Sequence, residues 1–183
     1  MVVDDDDDGE PSTKRKKVEE VVKGKSKGKG GLLKVWTDGS SRGNGRASAQ
    51  AGYGVWFGEG DDRNVAARLP GLPQTNQRAE LTGMLRALEI VPTSQPLEII
   101  SDSNYSINCA TIWYKGWTKN GWKSSTGQTV LNRDIVEKIR AVMDQRDKAG
   151  VETRCTWVKG HNEDVGNTGA DELAVAGSRL PAL

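Results

Sequence analysis

Four carboxylates in this 183-residue chain stand at places where a fold can make them converge: Asp38, Glu80, Asp102 and Asp171. Asp38 closes an apolar run at residues 32–37, and Asp102 closes a second at residues 97–100. Glu80 falls in the first turn of one helical stripe and Asp171 in the first turns of another. Each alone is an ordinary turn or cap residue. As a set they imply chemistry. Two acids at the ends of adjacent strands repel each other unless a cation neutralises them. Hard oxygen ligands of this kind suit Mg²⁺ or Mn²⁺. Four carboxylates balance two divalent ions, the charge count of a two-metal phosphoryl-transfer site. His161 is the single histidine and sits in a Gly- and Asn-rich stretch, residues 160–169. Read by itself, it is a surface loop residue.

The elements that must position these groups are legible from periodicity and punctuation. Residues 32–37, 51–57 and 64–69 read as three strands in a meander. Residues 76–91 carry a helical stripe at Leu81, Leu85 and Leu88, closed by Pro92. Residues 97–100 are fully apolar, as a buried strand requires. Residues 103–113 read as a helix capped by Ser103, and residues 130–148 as a longer amphipathic helix closed by Gly150. A last strand is expected at 151–158 and a terminal helix at 167–178. Three strands followed by alternating helices and strands imply an α/β domain: a five-stranded mixed sheet, three antiparallel strands then parallel ones, flanked by helices.

Composition narrows the class. The net charge is +1, so any basic contact surface is local. Two cysteines, Cys109 and Cys155, make no disulfide framework and read as reduced thiols of an intracellular protein. No apolar stretch is long enough to span a membrane, and no signal-peptide core follows Met1. Residues 1–31 hold the acidic block Asp4–Asp8, the basic cluster Lys14–Lys17 and lysines among small residues. Such a tail is expected to be disordered, which leaves residues 32–183 as one domain. Its basic cluster reads equally as a nuclear import signal or a solvated linker, so the nucleus is the expected location, with the cytoplasm as the alternative.

The words around the acids carry a resemblance. Thr37-Asp38-Gly39-Ser40, Thr75-Asn76-Gln77-Arg78-Ala79-Glu80-Leu81, Ser101-Asp102-Ser103, Val158-Lys159-Gly160-His161 and Gly169-Ala170-Asp171-Glu172-Leu173-Ala174 occur in this order. The chain resembles the ribonuclease H type 1 family over residues 32–177, in its eukaryotic cellular form. That resemblance implies a ribonuclease H-like fold and an endonuclease cutting the RNA strand of RNA–DNA hybrids. It implies two Mg²⁺ ions per site, replaceable by Mn²⁺, and 5′-phosphate and 3′-hydroxyl ends. Asp38, Glu80, Asp102 and Asp171 are then the metal ligands, with His161 an assisting catalytic residue.

The same resemblance implies how substrate is held. Asn44, Asn76 and Gln77 fall where the family meets the minor groove or the RNA sugars, and Ser41 and Gly43 in the loop whose backbone groups also meet the RNA. Thr75 and Asn132 fall in a pocket for a DNA phosphate, where an arginine of many relatives is replaced by Pro73. Trp113 and Trp117 fall in the DNA channel, on a protrusion whose lysines, Lys115, Lys119 and Lys123, alternate with rings. Trp117 is expected to be solvent-accessible and to lie against a DNA sugar. The expected partner is a hybrid bound by a monomer. Many eukaryotic relatives carry a small N-terminal hybrid-binding domain. Nothing before Leu32 reads as one, so either lower processivity or an incomplete start is expected. The alternatives are a module from a retroelement polyprotein and a non-catalytic hybrid-binding module.

Overall fold

The computed structural model describes residues 31–183, so the expected tail, apart from Gly31, lies outside the described residues. Five strands form one sheet: β1 (Leu33–Arg42), β2 (Gln50–Trp56), β3 (Val65–Arg68), β4 (Leu97–Ser101) and β5 (Thr153–Trp157). Their spatial order is β3-β2-β1-β4-β5. The pairs β1/β2 and β2/β3 are antiparallel, whereas β1/β4 and β4/β5 are parallel. This is the expected mixed sheet. Every residue of β4 is buried, which is why its sequence does not alternate.

One expectation fails at the strand that matters most. Asp38 does not end β1; it lies within it. Antiparallel pairing with β2 continues to Arg42↔Gln50, although the parallel ladder with β4 stops at Trp36↔Ile100. Asp38 and Asp102 each lie two residues past that last parallel pair. The sheet forks there, which sets the two acids at the opening.

Side chains alternate along a strand, so β1 serves two layers. Val35 joins the core formed with Leu81, Met84, Ile99, Val136 and Ile139, under α1 (Asn76–Ile90) and α4 (Arg133–Lys148). Trp36 points the other way, under α5 (Val165–Ser178), whose buried Ala170 and Ala174 rest on β2. Thr75 caps α1, its Oγ1 accepting the Arg78 N–H at 3.3 Å. Glu80 is the fifth residue of α1 and so lies in its second turn, not its first. Fully buried Arg146 of α4 ties the layers together. Its Nε donates to Thr153 Oγ1 at 2.7 Å and its two terminal nitrogens donate to the carbonyls of Pro92 and Gln95.

Ser103 caps α2 (Asn104–Asn108) as expected, accepting the Ser106 N–H at 3.1 Å. The helix does not stop at Trp113. A single π turn, Cys109–Trp113, passes it on to α3 (Tyr114–Asn120), which closes on Gly121 in the left-handed region. Arg140 of α4 donates to the Ala110 carbonyl inside the π turn at 2.8 Å and covers the Tyr114 ring. This continuation overturns the expectation for Trp117. In α3 it lies one turn from Trp113, edge to ring at 5.9 Å, and it stacks at a tilt on Trp122, also at 5.9 Å. Its exposure is 0%. The ring is part of the core and cannot lie against a sugar in this conformation.

The helix expected from residue 130 starts instead at Arg133, because Asn132 has a left-handed backbone, φ 59°. Both cysteines are free thiols, and burial pushes the Cys155 thiol up to about 12. Among the described residues no helix is long and apolar enough to cross a membrane.

Candidate active site

A cleft of about 370 Å³ opens where the sheet forks. Asp38, Glu80, Asp102, Asp171, His161 and Asn76 all line it, so six residues singled out from sequence meet in one place. Asp38, Glu80 and Asp102 each present an oxygen within 4.8 Å of the others. Asp171 stands outside that tight trio but shares the cleft, and its charge raises the pKa of both Asp38 and Asp102.

Local chemistry explains how each acid is aimed. Asp38 is 6% exposed and its Oδ1 accepts the Gly39 N–H at 2.8 Å. Gly39 is required by a close approach. A Cβ there would stand 2.4 Å from the Glu80 backbone nitrogen, so only glycine lets α1 bring Glu80 beside Asp38. Glu80 is then held from two sides: Asn76 Nδ2 donates to Oε1 at 2.9 Å and Ser103 Oγ donates to Oε2 at 2.5 Å. Asn44 Oδ1 accepts the Asn76 N–H at 3.0 Å, which ties the β1–β2 hairpin loop to the head of α1. Ser41 Oγ donates to the Gln74 carbonyl at 2.9 Å and anchors the same loop. Gln77 is half-buried in the first turn of α1.

Asp102 is enclosed by the segment after β5. A Cβ on Gly160 would stand 2.7 Å from Asp102 Oδ2, so a side chain there would push on the tip of that carboxylate. The next residue, His161, is exposed and takes a left-handed backbone, φ 55°. Asn167 escaped the sequence reading. It is 4% exposed, lines the cleft and gives a side-chain hydrogen bond to Asp102 that holds that carboxyl down. Its Oδ1 is buried without a partner among the described residues. The available signal was spacing: Asn167 precedes Asp171 by four residues and so shares its helix face.

The electrostatics are those of acids crowded together. Burial first, then the Asp102 charge, push the Asp38 carboxyl from 3.8 to about 8; Glu80 and Asp171 add to this and the Gly39 N–H opposes it. Burial likewise raises Asp102, against Asn167 and His161. Convergent carboxylate oxygens, an orphaned buried amide oxygen and this mutual repulsion fit one or more hard divalent cations.

The remaining candidates form two other groups. Thr75 and Asn132 are joined through Arg78, whose Nη1 donates to Asn132 Oδ1 at 3.3 Å while the guanidinium grips Asp134 at 2.6 Å. Asn132 Nδ2 donates to the Tyr105 hydroxyl at 3.0 Å. Pro73 is exposed, so the cationic group beside these residues is Arg78. Half-buried Trp113 and buried Trp117 form the third group, with Lys115, Lys119 and Lys123 exposed around them.

A family model described as RNase H matches residues 31–179. The chain belongs to the RNase H family. Ribonuclease H of Schizosaccharomyces pombe is 45% identical over 144 residues, 79% of this chain and 52% of that protein. Human Ribonuclease H1 is 40% identical over 152 residues, 82% of this chain and 51% of that protein. The chain thus spans about half the length of the curated relatives it matches. The solution structure of the PFV RNase H domain shares the fold, with a TM-score of 0.60 at 24% identity over 79% of this chain and 93% of that one.

For this member of the RNase H family, the raised Asp38 pKa fixes the sign of a pH effect. The native carboxyl holds its proton to about 8, whereas the unfolded one releases it near 3.8. Between those values the native state binds more protons, so stability of the metal-free protein falls as pH rises from about 4 to about 8. Millimolar Mg²⁺ or Mn²⁺ should reverse the loss, because a ligand of the native state alone stabilises it. Melting with EDTA and with Mg²⁺ at pH 5 and pH 8 checks this. The expected result is a metal-induced rise in Tm that is larger at pH 8; equal melting under all four conditions contradicts the site.

Proposed function

We propose that this chain hydrolyses the RNA strand of RNA–DNA hybrids as a divalent-cation-dependent endonuclease, acting as a monomer. The convergence of Asp38, Glu80 and Asp102 in a cleft shared with Asp171 and His161, on an RNase H family fold, carries the reading. Mg²⁺ is the proposed ion, two per site, with Mn²⁺ able to substitute. Asp38, Glu80, Asp102 and Asp171 would hold the cations. When bound, the cations would supply Lewis-acid polarisation of the phosphoryl group.

The protein's own residues do the rest. Asn167 orients Asp102, and Ser103 and Asn76 orient Glu80. Asn76 lines the cleft, and Asn44, Gln77 and Ser41 belong to the adjoining hairpin and helix head, where 2′-hydroxyls would be read by amides that both donate and accept and by backbone groups. His161 sits at the exposed mouth, able to take or give a proton as the leaving oxygen departs. Water adds across the phosphodiester and the bond from phosphorus to the 3′ oxygen breaks. One product keeps a 5′-phosphate and the other a 3′-hydroxyl. The basic cluster Lys14–Lys17 supports a nuclear location.

One assay tests the whole reading: labelled RNA–DNA hybrid, duplex RNA and duplex DNA, each with Mg²⁺ and with EDTA. Cutting confined to the RNA strand of the hybrid and abolished by EDTA is expected; cutting of all three or of none refutes it.

Binding of the DNA strand gives a separate expectation. Lys115 and Lys119 lie four apart on α3 and share a face, and Lys123 follows after the turn. Replacing all three with Ala should raise KM and flatten its salt dependence. Each phosphate contact contributes about 0.9 to the log–log slope on B-form DNA, and a hybrid should behave similarly. Turnover at saturating hybrid should hold, since such contacts bind ground and transition states alike. KM and kcat measured from 50 to 200 mM salt decide; an unchanged slope returns the lysines to a solvated face.

A further inference from the structure

Trp157 has no part in the site as described so far, yet its placement is specific. It is the last residue of β5, an edge strand, in parallel register with Ser101. Of the large apolar side chains exposed among the described residues it is the one aromatic, at 44%. Its indole N–H donates to the backbone carbonyl of Asp102 at 3.0 Å. The polar edge is thus consumed by the residue whose carboxylate enters the cleft, while a broad part of the ring stays open to solvent. Four residues on, the same segment reaches His161 at the mouth.

We propose that the exposed face of Trp157 packs against the ribose of a nucleotide next to the cleaved phosphate, on the strand that is cut. This inference rests on the hydrolase reading above. Asp102 must lie at the scissile phosphate for the cleft to act on it. The indole, tied to the Asp102 backbone carbonyl, therefore flanks that residue on the β5 side. In a duplex the bases are stacked and enclosed, so a flat apolar side chain there meets sugar edges. Aromatic rings are favoured partners for nucleotides because contact needs no particular base and orders few torsions. The hydrogen bond to Asp102 fixes the ring in advance, so little side-chain entropy is lost on binding. The contact would also place the strand relative to the carboxylates and not merely attract it.

The test compares Trp157→Ala, Trp157→Phe and parent on RNA–DNA hybrid with Mg²⁺. A ring that covers a sugar edge gains less than one stacked on a base, so its loss should lie near the lower end of the stacking range, about 5- to 10-fold in affinity. The Ala variant should raise KM within that range, and Phe, which keeps a ring but no N–H, should restore most of it. A second substrate, in which the RNA ends at the cleavage site opposite full-length DNA, isolates the contact. Parent should lose affinity on this truncation and Trp157→Ala should not, the non-additivity expected of two partners in one contact. Equal KM for parent and Ala variant overturns the proposal. So does a fall in kcat, with a shifted Mg²⁺ requirement, shared by Ala and Phe at constant KM, since the indole would then act only by holding Asp102. A parent that does not cut hybrid removes the hydrolase reading and this inference with it. Because the side chain is half exposed, both variants should fold, and melting verifies that they do.

Discussion

Asp38→Asn is expected to abolish hybrid cleavage while leaving the fold intact. The side chain is nearly isosteric, and its Oδ1 can still accept the Gly39 N–H, so β1 keeps its local geometry. What disappears is the most deeply buried carboxyl of the trio, one that feels the charges of both Glu80 and Asp102. Removing one preorganised group that stabilises developing charge costs on the order of 10²–10³-fold in other enzymes. Here the group would also hold cations, so the loss should reach at least that range. A second readout separates this from misfolding. Without metal, the parent loses stability as pH rises from about 4 to about 8, because its native state holds the Asp38 proton that the unfolded chain releases, and the Asn variant does not. The variant should therefore melt higher than parent in EDTA at pH 9 and gain less from Mg²⁺. Near-parent cleavage by a folded Asp38→Asn protein would remove Asp38 from the chemistry.

Much of this site was legible because the signals were short-range and redundant. An apolar run that reaches an acid marked Asp38 and Asp102 as residues able to meet, and both line the cleft. The sequence could not say that β1 runs on to Arg42, because continuation depends on pairing with β2, a partner distant along the chain. Trp117 was misread for a related reason. The lysines alternating with rings, with Gly116 among them, suggested a solvent-accessible segment. A helix tolerates one interior glycine, and Trp113 and Trp117 at a spacing of four also fit a helical face. The π turn that delivers this face to Trp122 leaves no periodic mark. Asn167 was missed because a single amide in a Gly-rich stretch carries no pattern until α5 places it one turn from Asp171. Val130 belongs to the core but precedes the helix, so apolar periodicity started α4 three residues early.

His161→Ala should lower kcat by about 10²-fold, within the 10²–10⁴ range of a side-chain acid–base contribution, and leave measurable activity. Three features argue for a real but partial role. The ring lies in the cleft wall with the carboxylates, and its charge acts on Asp102. It is exposed, so solvent can replace it as a proton carrier at some cost in rate. It also follows Gly160, whose missing Cβ lets the loop close on Asp102, so the loop can keep its position when the imidazole is removed. The acids should still bind cation and substrate. KM and the Mg²⁺-induced rise in Tm should therefore match the parent, and only turnover should fall. Exogenous imidazole at millimolar concentration should restore part of the rate, because it can enter the space at the mouth and carry the proton. Complete loss of activity would give the histidine a role that the carboxylates cannot cover. Unchanged kcat would make it a loop residue whose left-handed backbone serves only to turn the chain onto Asp102.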